Sequence, residues 1–400
     1  MEITPSFLHK LYRGKWELRV KIPLAHNLHV FYTPGVAEPC QSIAGDKALV
    51  WDMTNKWNTI GVISNGTRIL GLGNIGPEAG LPVMEGKAVL YKYYAGIDAI
   101  PLCIRADTEE AILDFLKAIE PSLGGINLED IKQPDAFHVL TEARDFLQIP
   151  IIHDDMEGTG IIILAAVLSS ATMLGLKLES EKIVLLGAGS ANMGFLQLLD
   201  ELLLGNVGNV VVVDKDLVYN KENAQRHWMA NTLVKTNMFG HRNLEEALRG
   251  ASFLVAASRP GPGVFPLDYL RNMKRPNVVL SLANPVPEVS REEAVATGVS
   301  IYGSGRSDDP NQVNNSLIFP GLMLGLLVTQ QQYSTAVGIK VAKALSQLAL
   351  KKSHLVPHMD SEVHELVAKT VVEHFSEQVA DNREKAALWQ EELRWRIGRR

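Results

Sequence analysis

The sequence predicts an α/β protein of two domains followed by a helical C-terminal segment. Short apolar runs are typical of buried strands, segments with helical spacing lie between them, and a regular strand–helix–strand alternation begins near residue 160. The chain of 400 residues is long enough for two domains, each with its own core. We place the first α/β domain at residues 1–158, and the second domain with the helical segment at residues 159–400.

The composition excludes several classes of protein. A hydrophobic content of 46% and a charged content of 21% are typical of a globular enzyme, and the net charge of −6 gives no reason to expect a nucleic-acid partner. The N-terminus lacks the pattern of a signal peptide. The longest uncharged run, 158–176, is near the lower length limit for a membrane span, and we interpret it as a buried helix. We therefore expect a cytoplasmic protein with no membrane partner.

In the first domain, Gly- and Pro-containing loops separate the predicted elements. Helical spacing appears in 108–119 and predicts one apolar face. That face consists of Ala111, Ile112, Phe115, Leu116 and Ile119. Residues 127–128 and 149–152 then read as buried parallel strands.

Each of these two strands is followed by a pair of acids. Glu129 and Asp130 follow the first, and Asp154 and Asp155 follow the second. Ligands of open α/β sheets gather at the carboxyl ends of the strands, where crowded carboxylates repel one another and lose hydration. Mg²⁺ or Mn²⁺ would relieve this repulsion, because hard divalent cations prefer oxygen ligands. The alternative for each acid alone is a helix cap or a salt bridge; four acids together favour a metal site.

The second domain has the regular alternation of a parallel sheet covered by helices. Predicted strands cover 182–186, 209–214, 253–257, 278–282 and 299–302. The last seventy or so residues are predicted to be mainly helical, and they could fold back over the first domain.

A Gly-x-Gly sequence lies between a predicted strand and a helix, as in a Rossmann-like nucleotide-binding turn. Gly187 permits the tight turn, and Gly189 lets a pyrophosphate approach the backbone amides at the start of the helix. Asp214 ends the next strand, where it would accept hydrogen bonds from a ribose and favour NAD over NADP. Asn192 takes the third glycine position, and Gly194 would relieve the crowding. The predicted cofactor residues here are Gly187, Gly189, Ser190, Ala191, Asn192 and Asp214. The alternative is a similar turn that binds no nucleotide.

Several motifs occur together in one order along the chain. They are YTPGVAEPC at 32–40, LGLGNIGPEAGLPVMEGK at 70–87, INLEDI at 126–131, HDD at 153–155, ANP at 283–285 and GRSDDPNQVNNSLIFPG at 305–321. In this combination the sequence resembles the malic enzymes over roughly residues 15–330. These metal-dependent, NAD(P)-linked enzymes oxidise malate and decarboxylate it to pyruvate.

The resemblance implies the catalytic roles. Lys87 would be the base that removes the proton of the malate hydroxyl, with its pKa lowered by burial and a nearby cation, and Asp154 would assist it. Tyr32 would protonate enolpyruvate at C3, although a tyrosine before Thr-Pro-Gly could equally be a packed aromatic at a turn. The implied metal ligands are Glu129, Asp130 and Asp155.

The same resemblance implies the groups that bind malate beside the nicotinamide. Arg68 would bind a substrate carboxylate as a bidentate partner. Asn284 and Asn315 would contact substrate and nicotinamide, and Asn314 is a weaker companion. Without the resemblance, each asparagine would be an ordinary loop amide, and Lys87 would be interpreted as a surface lysine.

The sequence departs from the bacterial pattern after the second acid pair. Many relatives read Gln-His-Gly-Thr there, whereas this chain has Met156 and Glu157, which adds an acid and removes a histidine. We also expect none of the long acyltransferase-like C-terminal extension that some bacterial relatives carry. We expect NAD-dependent oxidative decarboxylation of L-malate by a homo-oligomer, a dimer or larger. The alternatives are a malolactic enzyme, which releases lactate, and a catalytically silent nucleotide-binding regulator.

Overall fold

The computed structural model describes residues 29, 32–215, 217–379 and 382–398 and contains two β-sheets. The first sheet has four parallel strands in the order β2-β1-β3-β4, so that β2 and β4 form its edges. Its strands are β1 (Thr59–Ser64), β2 (Asp98–Cys103), β3 (Gly125–Leu128) and β4 (Ile151–His153). The accompanying helices are α1 (Ala37–Gly45), α2 (Val50–Met53), α3 (Pro77–Ala95), α4 (Glu109–Ile119) and α5 (Asp135–Phe146).

The second sheet has the order β10-β9-β8-β5-β6-β7, and it is parallel except for the antiparallel β7. Its strands are β5 (Ile183–Leu186), β6 (Val210–Asp214), β7 (Leu217–Val218), β8 (Phe253–Ala256), β9 (Val278–Ser281) and β10 (Ile301–Ser304). The helices up to β10 are α6 (Glu157–Leu174), α7 (Ser190–Leu202), α8 (Ala230–Leu233), α9 (Leu244–Leu248), α10 (Asp268–Arg271) and α11 (Arg291–Ala296). The C-terminal helices are α12 (Phe319–Thr329), α13 (Thr335–Lys351), α14 (Ser361–Gln378) and α15 (Arg383–Gly398).

The predicted α/β class and the predicted strands are confirmed, with small shifts at their ends. The last predicted strand, 299–302, lies at Ile301–Ser304 instead. Helix α4 begins after Thr108, whose side chain accepts a hydrogen bond from the amide of Ala111. Ala111 itself is exposed, and Leu113 is buried on the inner face in its place. The boundary near residue 158 stays a prediction, and residues 1–28 lie outside the described part.

Helix α6 follows β4 of the first sheet and packs mainly on α7 and α13. It is the one helix in the described part that is long and apolar enough to cross a membrane, and 72% of it is buried within the protein. The prediction of a buried helix is therefore confirmed. It packs closely on α7, because a Cβ on Gly194 would lie 2.0 Å from the carbonyl oxygen of Met156. Gly194 thus allows the close approach of α6 and α7, which the larger side chain of Asn192 at the third glycine position does not provide.

The C-terminal helices return to the first sheet, as the sequence predicted. Helix α12 packs on α3, where the rings of Tyr91 and Phe319 are 4.8 Å apart. Helix α14 covers α12, and α15 lies against α14. Near the end of α15, Arg396 donates a hydrogen bond of 3.1 Å to the carbonyl oxygen of Trp57, just before β1. Residues far apart in the chain therefore complete the packing of the first sheet.

The close contact between α6 and α7 gives a prediction about stability. Replacement of Gly194 by Ala should lower the free energy of unfolding by about 1–3 kcal/mol, because the new methyl group would overlap backbone atoms of Met156. Gly45→Ala is the control, since a Cβ there has no atom within 4 Å. Guanidinium titration of both variants measures the effect; equal stability of the Gly194→Ala variant and the parent would contradict the predicted overlap.

Candidate active site

The four predicted acids come together at the carboxyl edge of the first sheet. Strands β3 and β4 are neighbours with Leu128 opposite His153, so the acid pairs that follow them lie side by side. The backbone amide of Asp130 donates a hydrogen bond of 3.2 Å to Oδ2 of Asp155. Glu129, Asp130 and Asp154 are buried, and Asp155 is partly buried beside them. The structure therefore places the four predicted carboxyl groups at one edge of the sheet.

Lys87 projects from α3 into this cluster. It belongs to the buried face of that helix, together with Met84, Ala88 and Tyr91, at the spacing expected for one helical face. Its Nζ forms ion pairs with Glu129 and with Asp154 Oδ2, the latter at 2.6 Å. Lys87 is thus a buried cation between two buried carboxylates, which excludes the alternative of a surface lysine.

A buried polar chain holds Glu129 in position. The hydroxyl of Tyr91 donates to Oδ1 of Asn127 over 2.7 Å, and Nδ2 of Asn127 donates to Oε2 of Glu129 over 2.9 Å. The sequence reasoning did not identify Tyr91 or Asn127. An asparagine in the middle of a buried strand was the available signal, because such an amide needs hydrogen-bond partners.

Burial and mutual repulsion make Glu129, Asp130 and Asp154 hard to ionise, whereas the pKa of Asp155 is lowered, because the nearby positive groups outweigh its burial. Burial raises the pKa of Asp154 to about 6, and the pKa of Asp130 rises to about 7 through burial and the neighbouring Asp155. For Lys87 the expectation was wrong in direction. Burial alone would lower its pKa, but the surrounding carboxylates of Asp154 and Glu129 outweigh it and raise the pKa above its ordinary value.

The donor chemistry of the cluster fits a divalent cation. Oδ2 of Asp130 is buried without a hydrogen-bond partner, and Oδ1 of Asp154 is in the same condition. Such oxygens are costly to bury unless a donor or a cation meets them. In the described part of the chain, however, no three Asp, Glu, His or Cys side chains already form a metal-binding arrangement. A bound ion would therefore have to compete with Lys87 for Glu129.

The predicted nucleotide turn lies between β5 and α7. Gly187 has a φ of 98°, and a Cβ there would lie 2.3 Å from the carbonyl oxygen of Ala257, so that only glycine fits. Helix α7 begins at Ser190 directly after Gly189. Ala191 occupies the second position of this helix. The backbone amides at this helix start are suited to an anionic phosphate.

Asn192 has a structural role at the third glycine position. It is fully buried, and its Nδ2 donates to the carbonyl oxygens of Leu186 and Gly187 at 3.0 and 2.8 Å. Asp214 ends β6 as predicted. The structure adds His227, whose Nε2 lies 2.9 Å from the carbonyl oxygen of Ala188 within the turn. The sequence reasoning missed His227, because no motif marks it.

The carboxylate cluster and the nucleotide turn face each other. Nη2 of Arg68 lies 3.7 Å from the position that a Cβ on Gly189 would occupy. Gln133, which precedes α5, donates a hydrogen bond of 2.8 Å to the hydroxyl of Ser190. The sequence reasoning also missed Gln133. A substrate held by the carboxylates would therefore lie close to a nucleotide held by the turn.

Asn284 and Asn315 also border this space. The carbonyl oxygen of Asn284 would lie 2.6 Å from a Cβ on Gly71. Gly158 touches both sides of the site, because a Cβ there would lie 1.9 Å from Oδ1 of Asp154 and 3.5 Å from Cβ of Asn315. Asn314 instead stabilises its own turn, where its side chain accepts from the amide of Ser316.

Tyr32 is not brought into the cluster within this single chain. Its side chain is 65% exposed, on the turn that precedes α1. Among the described residues it has no side-chain hydrogen bond or ring contact.

Glu157 is the acid that departs from the bacterial pattern. It pairs with Arg144 at 2.6 Å and not with Lys87.

Comparisons with known proteins agree with the fold described above. Residues 15–114 match the family model of the malic enzyme N-terminal domain, and residues 156–379 match that of the malic enzyme NAD binding domain. The NAD-dependent malic enzyme of Geobacillus stearothermophilus is 37% identical over 90% of this chain and 76% of the relative. The bifunctional malic/malolactic enzyme of Bacillus subtilis (strain 168) is 36% identical over 91% of this chain and 90% of the relative.

Some similar proteins are longer than this chain, and others have solved crystal structures. An NADP-dependent malic enzyme of Rhizobium meliloti (strain 1021) is 39% identical over 84% of this chain, which spans 44% of that relative. The crystal structure of malic enzyme from Pyrococcus horikoshii Ot3 superposes with a TM-score of 0.88 at 38% identity, covering 96% of this chain and 92% of the other. The crystal structure of the malic enzyme of Entamoeba histolytica superposes with a TM-score of 0.89 at 30% identity, covering 98% of this chain and 86% of the other. The chain therefore belongs to the malic enzyme family of NAD(P)-dependent oxidoreductases.

Proposed function

We propose that this protein catalyses the metal- and NAD-dependent oxidative decarboxylation of L-malate to pyruvate and CO₂. The observation that carries the proposal is the buried Lys87 between Glu129 and Asp154, on the sheet edge that faces the nucleotide turn. This arrangement places a lysine that could accept a proton in its neutral form, anionic oxygens and a cofactor site within one space. Steady-state formation of NADH and NADPH from malate with Mn²⁺, with identification of the carbon products, tests it.

The residues supply the proton chemistry and the binding groups. Lys87, in its neutral form, would take the proton of the malate C2 hydroxyl, and Asp154 would hold the ammonium group that results. Arg68 would bind a malate carboxylate, with Asn284 and Asn315 beside it. NAD⁺, when bound, supplies the hydride acceptor. Mg²⁺ or Mn²⁺, held by Glu129, Asp130 and Asp155, would supply positive charge that polarises the C2 oxygen.

Tyr32 is proposed as the acid that protonates C3 of enolpyruvate. The proposal rests on the match of the Tyr-Thr-Pro-Gly motif at 32–35, since the side chain is exposed in the single chain. The phenol can donate this proton only where it reaches the substrate. A movement of the turn, or assembly of copies, would have to bring it there.

A malolactic reaction is the second candidate. The observation that favours it is the similarity to the bifunctional malic/malolactic enzyme of Bacillus subtilis. Both reactions share the oxidation and decarboxylation of malate, but the malolactic reaction uses the hydride again and releases lactate. Accumulation of lactate without net NADH would favour this candidate over the first.

We further propose a homo-oligomer, a dimer or larger, in the cytoplasm, with malate as its partner and neither nucleic acid nor membrane. Helix α1 has no buried residue in the single chain, which supports an interface between copies. Exposed apolar side chains between positions 36 and 75 of the sequence support it as well. They are Val36, Met53, Leu70, Leu72 and Ile75.

The metal ligands can be tested by one substitution. Asp155→Ala should abolish turnover and leave NAD binding largely intact, because one of three anionic ligands is lost while the nucleotide turn is unchanged. Turnover and NAD affinity, from fluorescence titration, are measured at saturating Mn²⁺. The control is Asp200→Ala, because Asp200 lies on α7 and forms an ion pair with Lys235. Near-parental turnover in Asp155→Ala would remove this residue from the ligand set.

The two proton-transfer steps can be separated with different substrates. Lys87→Ala should lose malate oxidation. Tyr32→Phe should be impaired in pyruvate reduction, which needs enolisation, and should still reduce oxaloacetate. Loss of such a group typically lowers the rate of its own step by ~10²–10⁴-fold. If Tyr32→Phe lost both reductions equally, Tyr32 would have a shared binding or structural role.

Asp214 gives a prediction about the choice of cofactor. The parent should prefer NAD, because the carboxylate repels the 2′-phosphate of NADP, and Asp214→Ser should shift the ratio of kcat/KM values toward NADP by about tenfold or more, or ~1.4 kcal/mol. Glu222→Ser, an exposed acid in the following segment, should leave the ratio unchanged. Equal kcat/KM for both cofactors in the parent would mean that Asp214 does not face the ribose, or that an arginine such as Arg226 offsets it.

A further inference from the structure

Among the described strands, none pairs with the outer edge of β4, and side chains bind its backbone groups instead. Strand β4 is the edge strand of the first sheet, it has only three residues, and it leads directly into Asp154 and Asp155. Its pairing with β3 uses the backbone groups on one side, including the amide of Asp154, which donates to Leu128 over 3.4 Å. The backbone groups on the other side need partners from elsewhere.

Three side chains provide those partners. Glu157 accepts from the amide of His153 at 3.1 Å, Arg144 donates to the carbonyl oxygen of Ile151 at 3.2 Å, and Gln332 accepts from the amide of Ile151 at 3.1 Å. They come from the start of α6, from α5 and from the connection between α12 and α13. We call this set, Arg144, Glu157 and Gln332, the edge clamp.

The edge clamp is also linked within itself and to the core. The same Nη2 of Arg144 that bonds Ile151 donates to Oε1 of Glu157 at 2.6 Å, so that the carboxylate bridges α5 and β4. The guanidinium of Arg144 lies 5.5 Å from the ring centre of Tyr333. Gln332 also donates to the carbonyl oxygen of Ile149 at 2.8 Å. Each clamp residue is therefore held by at least two contacts.

We propose that Arg144, Glu157 and Gln332 are positioning residues that fix β4 and thereby aim Asp154 and Asp155 at the site. The acid at position 157 thus acts through the backbone of His153, and it is not a fifth ligand. The inference rests on the proposed function, because it gives Asp155 the role of a metal ligand and Asp154 that of the partner of Lys87. Groups that orient metal ligands typically contribute about 10–100-fold to metal affinity or activity.

Glu157→Gln tests the clamp, since it keeps the shape and removes the charge that Arg144 needs. Paramagnetic resonance of free Mn²⁺ should give a Kd raised by about 10–100-fold, and kcat should fall, with the Kd for NAD changed less than about threefold. Hydrogen exchange in the segment 149–155 should become faster. Arg144→Lys should restore part of the affinity lost in an Arg144→Met variant, because it keeps the charge.

The matched control is Glu181→Gln. Glu181 is as buried as Glu157, and it also pairs with a cation, Lys274, at 2.8 Å. It lies before β5, however, at the end of this strand opposite to the glycine turn. This variant should leave the Kd for Mn²⁺, kcat and exchange in 149–155 unchanged, whatever its thermal stability. If Glu157→Gln fails to fold, Gln332→Ala replaces it in the test, because this substitution removes only neutral hydrogen bonds. Gln332→Ala should change the Kd for Mn²⁺, kcat and exchange in 149–155 in the same directions, but by smaller amounts.

The outcomes separate the two proposals. If the parent binds Mn²⁺ and oxidises malate while Glu157→Gln keeps the parental Kd and kcat, the clamp is only structural and the inference is wrong. If Gln332→Ala is used in place of Glu157→Gln, a parental Kd for Mn²⁺ and a parental kcat in that variant overturn the inference equally. Failure of the parent itself to bind Mn²⁺ or to oxidise malate would instead overturn the proposed function, and with it the role given to the clamp.

Discussion

A single buried ammonium group holds the carboxyl edge of the first sheet together. Lys87 reaches from α3 to Glu129 after β3 and to Asp154 after β4, so it fixes one helix against two strands. Without this cation, two carboxylates would be buried with no compensating charge, which is strongly destabilising. Arg144 neutralises Glu157 in the same way. Asp130, whose pKa is raised, and Asp155 lie side by side next to these ion pairs, and a divalent cation could balance their negative charge.

The parts of this site that are local in sequence could be predicted. Buried parallel strands have uniform apolar runs, and their carboxyl ends share one edge of a sheet, so Glu129, Asp130, Asp154 and Asp155 could be grouped from the sequence alone. The glycine turn at 187–189 has a sequence pattern set by sterics, since Gly187 has a left-handed backbone. Both predictions needed only short segments whose conformation is dictated by neighbouring residues.

Other parts could not be predicted, because they depend on pairs distant in the chain. Gln332 bonds Ile151 across 181 positions, and Gln133 bonds Ser190 across 57. Nothing in the local sequence around Arg144 indicates that it meets Glu157. The direction of the pKa of Lys87 was missed for the same reason, since it depends on how many carboxylates the fold brings near one nitrogen. The role of Tyr32 stays a prediction.

The contact between the two ends of the described chain affects the order in which the protein can fold. The rings of Trp57 and Trp395 pack at a tilt of 54° with their centres 5.3 Å apart, and Arg396 donates a hydrogen bond to the backbone of Trp57. During synthesis the ribosome makes Trp57 long before Arg396, so the first sheet emerges without the helix that covers this side of it. Closing a loop of this length is entropically costly and slows folding. The first sheet can therefore complete this packing only after α15 has been made, although its strands are made first.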